Sequence, residues 1–327
     1  MIEVRSLLRR APWLRTKRPA HAFVLGRTRL TYVGPEKSGR SVSGTPPAVR
    51  AVTASFPEDA FTREASGAPV AGPPVVGAVS RLLAEAAVKL PAASLVVPDE
   101  FVRVLVVEVE EPERHAREVE EILTWKYGRT FGEPVPPLRL SWRPAGPAAS
   151  GTRVLALAVP EEAAASWETP FEKAGIRIGA VEIESLAVSS LGAGAIAGEG
   201  LVVWAHGATA TVAHFEKGSL RFLRVRSTAD ALAGLQDLRL TASYVAPVRP
   251  PEAPADDGDS PLVRIPCAAG PAGSPVVEAL TAFRAEHGGP PVTPLSLAAL
   301  LPGTRVASGR AEAAELLAAL GAMAGGD

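Results

Sequence analysis

The chain has 327 residues, with 34 Lys and Arg against 35 Asp and Glu, five His and one Cys. That length suits two or three sub-domains around shared cores, and 47% hydrophobic with 21% charged residues describes a globular chain. A formal net charge of -1 excludes a general nucleic-acid binder, which needs a basic face, and the single Cys excludes a disulfide framework or a Cys-built zinc site.

Residues 1–20 form a basic leader without the apolar core and small-residue cleavage site of a signal peptide. Leu7, Leu8, Trp13 and Leu14, with Arg5, Arg9, Arg10, Arg15, Lys17 and Arg18, suit peripheral contact with an anionic membrane. Pro12 and Pro19 favour a solvated leader instead. No run reaches the roughly 18–20 apolar residues of a spanning helix. The nearest, Ile183 to Ala205, is interrupted by Glu184, Glu199 and four glycines. With 30 Gly and 31 Pro, long loops are expected.

Ala22 to Val33 reads as two strands about a turn at Gly26-Arg27, Gly34 to Pro47 as a connection, and Val49 to Phe56 as a third strand. Ala65 to Pro74 reads as loop. Val75 to Lys89 has helical spacing, with Val75, Val79, Leu82, Leu83 and Ala86 on one face. A strand then starts at Leu95, a turn falls at Pro98-Asp99, and Val102 to Val109 is a long apolar strand. Glu113 to Tyr127 is an amphipathic helix with Ala116, Val119, Ile122 and Leu123 inward. Leu138 to Trp142 and Arg153 to Val159 are strands, Pro160 to Ala174 a helix that Pro170 should kink or break, and Ile176 to Glu182 a strand. The stretch from Leu95 to about Ser190 reads as one compact α+β unit.

Leu201 to Ala205, Thr209 to Phe215 and Leu220 to Val225 read as three antiparallel strands, followed by a helix over Thr228 to Val245. Pro247 to Pro261 is a Pro/Asp loop, Leu262 to Ile265 a strand, Pro275 to Glu286 a helix and Ala311 to Met323 a terminal helix. Three strands and then a helix occur in both the first and the last block, a pattern of two related halves.

Ready-made catalytic signatures are missing. The chain has no GxxxxGK(S/T), GxGxxG or GxSxG motif. His21, His115, His206, His214 and His287 never fall at metal-ligand spacing, and a His206–His214 pair on adjacent strands is more simply structural. The acidic runs Glu108 to Glu113 and Glu118 to Glu121 read as a solvated face suited to a helix N-terminus. Asp256, Asp257 and Asp259 lack the distal Glu of an EF-hand, and Cys267 reads as buried.

Pro98-Asp99 after a strand, then Val154 to Pro160, then Ala174-Gly175-Ile176 through Glu182 and Leu186, occur in the order of the inserted sub-domain of the PilM family. These are type IV pilus assembly proteins related to the cell-division actin homologue FtsA. The flanks, Leu201 to Arg226 and Val263 to Phe283, resemble that family's second phosphate-loop hairpin and its later strand and helix. The resemblance covers roughly residues 20 to 325. It implies an actin-like (RNase H-like) two-domain α/β fold with an inserted 1C-type sub-domain. Residues 21–93 would form part of the first actin-like sub-domain, 94–190 the insert, and 191–327 the second domain with return of the C-terminal helix.

The departures from the family carry the functional expectation. Actin-like ATPases place an Asp-(apolar)-Gly on each of two hairpins, whose carboxylates hold the metal of the nucleotide. Here the hairpins read Val24-Leu25-Gly26 and Ala205-His206-Gly207, so Val24 and Ala205 stand at the Asp positions. Gly26, Gly207 and Thr211 survive as vestiges of a nucleotide site. The adenosine-side Gly-Gly is reduced to Ala268-Ala269-Gly270, and the Gly pair after Arg224 reads Ser227-Thr228. Bound Mg²⁺ is held through carboxylates and phosphates, so these replacements imply loss of ATP hydrolysis and of tight ATP binding: no catalytic residue, no metal, no cofactor.

The resemblance therefore implies a pseudo-ATPase scaffold, cytoplasmic and peripheral to the inner membrane. Its partners would be the cytoplasmic tail of a PilN-like membrane protein and other platform proteins of a type IV pilus-like machine. The tail would lie in a groove between the Val75–Lys89 region and the Leu95–Ser190 block, where extended-peptide capture needs only backbone bonds and apolar pockets. One alternative is a GspL-like secretion component, ranked second because the chain ends at Asp327 without the spanning helix of that family. The other is an active actin-like ATPase with its acidic residues elsewhere, such as Asp230 or Asp237.

Overall fold

The structure is a computed structural model. It describes residues 18–36, 48–63, 68–110, 116–131, 136–148, 151–192, 199–207, 209–216, 219–227, 231–245, 261–301, 303–309 and 311–324. The expected leader up to residue 17 and the Pro/Asp loop 247–260 lie outside them.

Ala22–Leu25 is four apolar residues, all buried, so this strand, β1, needs cover on both faces and sits inside a sheet. A tight turn leads to β2 (Arg29–Pro35), with Leu25 opposite Leu30, and β3 (Ala48–Ser55) adds antiparallel to β2. Two short strands, β4 (Phe61–Arg63) and β5 (Pro69–Ala71), make a separate ribbon, so part of the expected 65–74 loop is strand. Helix α1 (Pro73–Ala86) starts on two prolines and buries Val75, Ala78, Val79, Leu82 and Ala86 against β2 and β3. Strand β6 (Ala92–Val97) then pairs parallel to β1 and ends in a single 3₁₀ turn, Asp99–Phe101.

An insertion follows. Strand β7 (Arg103–Val109), helix α2 (Ala116–Phe131), β8 (Leu138–Ala148) and β9 (Gly151–Pro160) form a three-stranded antiparallel sheet of order β7-β9-β8 with the helix on one face. Its core joins Val107, Val119, Leu123, Tyr127 and Val154, and the Tyr127 hydroxyl donates to the Ala156 carbonyl at 2.8 Å. Ile122, expected inward, is 41% exposed; the inward row is Val119, Leu123 and Tyr127, a four-residue spacing that turns Ile122 outward. Helix α3 (Glu161–Lys173) runs through Pro170 as one element, so of the expected kink or break no break occurs, and it buries Trp167, Pro170 and Phe171. Burial of that face outweighs the one lost backbone bond.

Strand β10 (Arg177–Ile183) returns to pair parallel with β6, and helix α4 (Glu184–Gly192) follows at once. The compact unit expected over 94–190 is therefore narrower. β6 and β10 are hydrogen-bonded into the first sheet, and only β7 to β9 with α2 stand apart. A parallel pair needs a long crossover between its strands, and here the insertion lies within that crossover.

The second lobe opens with β11 (Glu199–His206), β12 (Thr209–Glu216) and β13 (Ser219–Ser227), an antiparallel meander as expected. Helix α5 (Ala231–Val245) and a one-turn helix α6 (Pro261–Arg264) come next. The strand expected at Leu262 to Ile265 is thus helical. A short apolar run fits either state, and here buried Arg284 donates to the carbonyls of Leu262 (2.6 Å) and Ile265 (2.8 Å), satisfying the end of the turn. The strand lies just beyond, β14 (Cys267–Gly270), parallel to β11. Then follow α7 (Pro275–Glu286), β15 (Thr293–Pro294), α8 (Leu297–Leu300), β16 (Arg305–Ser308) and α9 (Ala313–Ala324).

The two main sheets have orders β10-β6-β1-β2-β3-β16 and β13-β12-β11-β14-β15. A meander of three strands plus two parallel strands occurs in both, so the two halves share one topology. β16 and α9 return to the first lobe, α9 against α4, β1 and β6. There Gly321 sits where a Cβ would lie 1.9 Å from the Ala187 carbonyl oxygen, and the helices meet backbone to backbone. β11 alternates between two cores. Val202 and Trp204 face the first lobe, while Leu201, Val203 and Ala205 face α5 and α7.

Candidate functional site

Between the two sheets lies a cavity of about 950 Å³. Both hairpin turns, β1–β2 at Gly26 and β11–β12 at Gly207, line it. Gly207 has φ +59°, the left-handed region that favours glycine in a two-residue turn. Val24 is fully buried and Ala205 is 3% exposed in the second core, so neither hairpin presents a carboxylate at the expected metal positions. Gly270, at the end of the Ala268-Ala269-Gly270 stretch, is packed so closely that a Cβ would lie 2.7 Å from the Leu295 carbonyl oxygen.

Part of the cavity's lining is ionic, and its groups pair with one another. Thr211, read from the sequence as a vestige of phosphate binding, donates its hydroxyl to Asp99, whose other oxygen accepts the Ser185 N–H at 3.0 Å. Thr209 donates to Glu100 at 2.9 Å, and Arg27, beside Gly26, donates to the second Glu100 oxygen at 2.8 Å. His206 Nδ1 lies 2.8 Å from Glu184, and Trp204 Nε1 donates to the same oxygen at 3.3 Å. The other His206 nitrogen is 3.6 Å from Glu312, while Arg29 pairs with Glu312 and, at 3.1 Å, with Glu315.

Burial sets the charges here. Asp99 is pushed up to about 6, chiefly because its charged form loses water, with the nearby Glu184 charge adding to the effect against the Ser185 and Thr211 hydrogen bonds. For His206 burial works against the charged ring, yet the Glu184 hydrogen bond and the charges of Glu184, Glu312 and Glu315 outweigh it and raise the ring to about 9. Glu315 is raised by burial despite Arg29 and the Glu312 N–H.

The lining also includes apolar side chains, Phe61, Pro69, Phe101, Val102 and Val104 of the first lobe and Leu223 and Val225 of β13, next in sequence to Arg103, Arg224 and Arg226. A chain of rings supports it, Phe56–Phe61 at 5.9 Å, Phe61–Phe101 at 5.1 Å and Phe101–Trp167 at 5.7 Å, and Trp167 Nε1 donates to the Pro69 carbonyl at 2.9 Å. This cavity does not coincide with a groove against the Val75–Lys89 helix. No residue of α1 lines the cavity, because α1 is committed to β2 and β3, and the β4–β5 ribbon takes that place.

Other sequence candidates lie elsewhere. His206 and His214 do not meet: they face Thr209 and Leu201 in register, at opposite ends of β11–β12, and His214 pairs with Glu199 at 3.2 Å. Among the described residues no three metal-ligating side chains cluster. Asp237 pairs with Arg224 at 3.2 Å; Asp230, Asp256, Asp257 and Asp259 lie outside the described residues. Cys267 is buried and its thiol is pushed up to about 12 by loss of solvent. No sequence motif marks Asp99, Glu100, Glu184, Glu312 or Glu315 as site residues. The first three sit where β6 and β10 end, and the C-terminal ends of parallel strands are where open α/β sheets gather functional groups.

No protein-family model matches the chain, and no curated protein matches its sequence. Among solved structures it is similar to a chain of the PilM–PilN type IV pilus biogenesis complex, with 17% identity, 95% of this chain and 97% of that chain covered, and a TM-score of 0.62. A Bacteroides thetaiotaomicron protein with an actin-like ATPase fold and unknown function gives 8% identity, 90% and 93% coverage, and a TM-score of 0.48. The cytoplasmic domain of EpsL, an inner-membrane component of the type II secretion system of Vibrio cholerae, gives 12%, 81% and 94%, and 0.44. The chain thus has a mixed α/β actin-like ATPase fold, structurally similar to PilM. No helix among the described residues is long and apolar enough to cross a membrane.

Proposed function

We propose that the chain is a pseudo-ATPase scaffold on the cytoplasmic face of a type IV pilus-like inner-membrane platform, where it holds the tail of a PilN-like membrane protein. The observation that carries this reading is the pair Val24 and Ala205, both buried at the positions where the two hairpins would need carboxylates. Without them a nucleotide's Mg²⁺ loses its protein anchorage, and phosphoryl transfer loses the positioning on which it depends. Likeness to PilM across nearly the whole chain supports the scaffold role, since that protein is solved in complex with PilN.

The apolar part of the lining suits an extended tail. Phe61, Phe101 and Val104 offer side-chain pockets, and none of them depends on the nucleotide chemistry. Leader residues 1–20 would add contact with anionic lipid. The test is calorimetric titration of the full chain with a PilN-type tail peptide and, separately, with MgATP. Peptide binding that Val104→Asp abolishes, with no heat from MgATP, is the expected result. ATP turnover, or absence of peptide binding, would overturn the reading.

A further inference from the structure

Trp204 and His206 of β11 lie two residues apart and so project to one face, as do Thr209 and Thr211 of β12. The register places Trp204 opposite Thr211 and His206 opposite Thr209, so the four polar groups form a two-by-two block on the hairpin. That face points at the first lobe. Each group in the block meets a carboxylate that the first lobe supplies: Asp99 for Thr211, Glu100 for Thr209, and Glu184 for both Trp204 and His206. Asp99 and Glu184 are themselves buried, and a buried carboxylate stripped of its donors is strongly disfavoured.

An anion on a cleft ligand would pair with such donors and draw two lobes together. Here every member of the block already holds an anion belonging to the same chain. We propose that the β11–β12 donor block and the Asp99, Glu100 and Glu184 carboxylates form an internal latch that keeps the two lobes closed without a ligand. The latch rests on the cleft geometry and stands or falls independently of the scaffold reading. It also touches the apolar part of the lining directly, because Asp99, Glu100 and Phe101 share one 3₁₀ turn: two residues engage the second lobe while the third packs between Phe61, edge-on, and Trp167, tilted.

The experiment measures the distance between lobes in the full chain, with spin labels on cysteines placed at the exposed positions Glu85 of α1 and Glu286 of α7. Buried Cys267 stays in place. The parent should give one narrow distance distribution without any ligand, unchanged by millimolar MgATP or inorganic phosphate. Thr209→Val with Thr211→Val keeps the shape and removes two donors. It should broaden the distribution and shift it to longer distances, with the open population rising about tenfold for each charge-assisted bond lost. Thr211→Ser, which restores a hydroxyl, should keep the parent distribution. Identical narrow distributions in all three proteins would overturn the latch, as would equal broadening in Thr211→Ser and the valine variant, or narrowing of the parent by MgATP.

Discussion

The two main sheets repeat one topology but face the cleft with opposite chemistry. Around the first sheet, the ends of β6 and β10 and the approach to α9 deliver Asp99, Glu100, Glu184 and Glu312. The second sheet delivers hydroxyls, an indole and an imidazole from β11 and β12. A duplicated fold that closed on a phosphate would want donors from both sides. Here the donors of β11 and β12 meet carboxylates of the first lobe, while Arg27 and Arg29 of that same lobe pair with Glu100, Glu312 and Glu315.

Several changes would break or sharpen that asymmetry. The largest effect is expected from Trp167→Ala, which removes a fully buried ring, its bond to Pro69 and the support for Phe101. A loss of about 3–5 kcal/mol in denaturant unfolding is expected. His206→Ala comes next. It strands Glu184 in the cleft with only Trp204 as donor, and a loss of about 2–4 kcal/mol is expected at neutral pH. The folded chain holds the His206 proton more tightly than a free ring does. Its stabilisation is therefore complete below about 6.5, is lost as the pH climbs through about 9, and should vanish from the stability profile of His206→Gln.

Asp99 carries the opposite burden. Its raised value means that the folded state favours the neutral acid, an advantage present below 3.8 and lost as the pH rises through about 6. Asp99→Asn keeps a polar partner for Thr211 and removes the buried charge. It should match or exceed the parent in stability at neutral pH, by up to about 2 kcal/mol, and flatten the profile between those limits. The smallest effect is expected from Leu240→Ser on the outer face of α5, where the side chain is 59% exposed; a change within about 0.5 kcal/mol in the unfolding midpoint is expected.

What the sequence made legible follows the range of the interactions. The hairpins β1–β2 and β11–β12–β13 and the helix Pro275–Glu286 are set by local alternation, turn residues and a proline start, and they are read correctly from a single chain. The assignment of β6 and β10 to the first sheet depends on pairing across some eighty residues, which no local pattern encodes. Ile122 and the Leu262 turn fail for another reason. Helical phase over a short apolar segment is ambiguous until neighbours such as Tyr127 and Arg284 fix it. Val24 and Ala205 are legible in a single sequence, whereas Asp99 and Glu184 come together as a cluster only when β12 and β11 are brought against them.

The central claim is that the chain's own carboxylates, rather than a nucleotide's phosphates, engage the β11–β12 donors in the cleft. The most direct measurement is thermal unfolding of the full chain with and without millimolar MgATP. A ligand present at about a hundredfold its Kd adds about 2.7 kcal/mol to a protein that binds it, a rise in melting temperature that is easily seen. The account predicts superimposable curves, and a concentration-dependent rise in Tm with MgATP would contradict it.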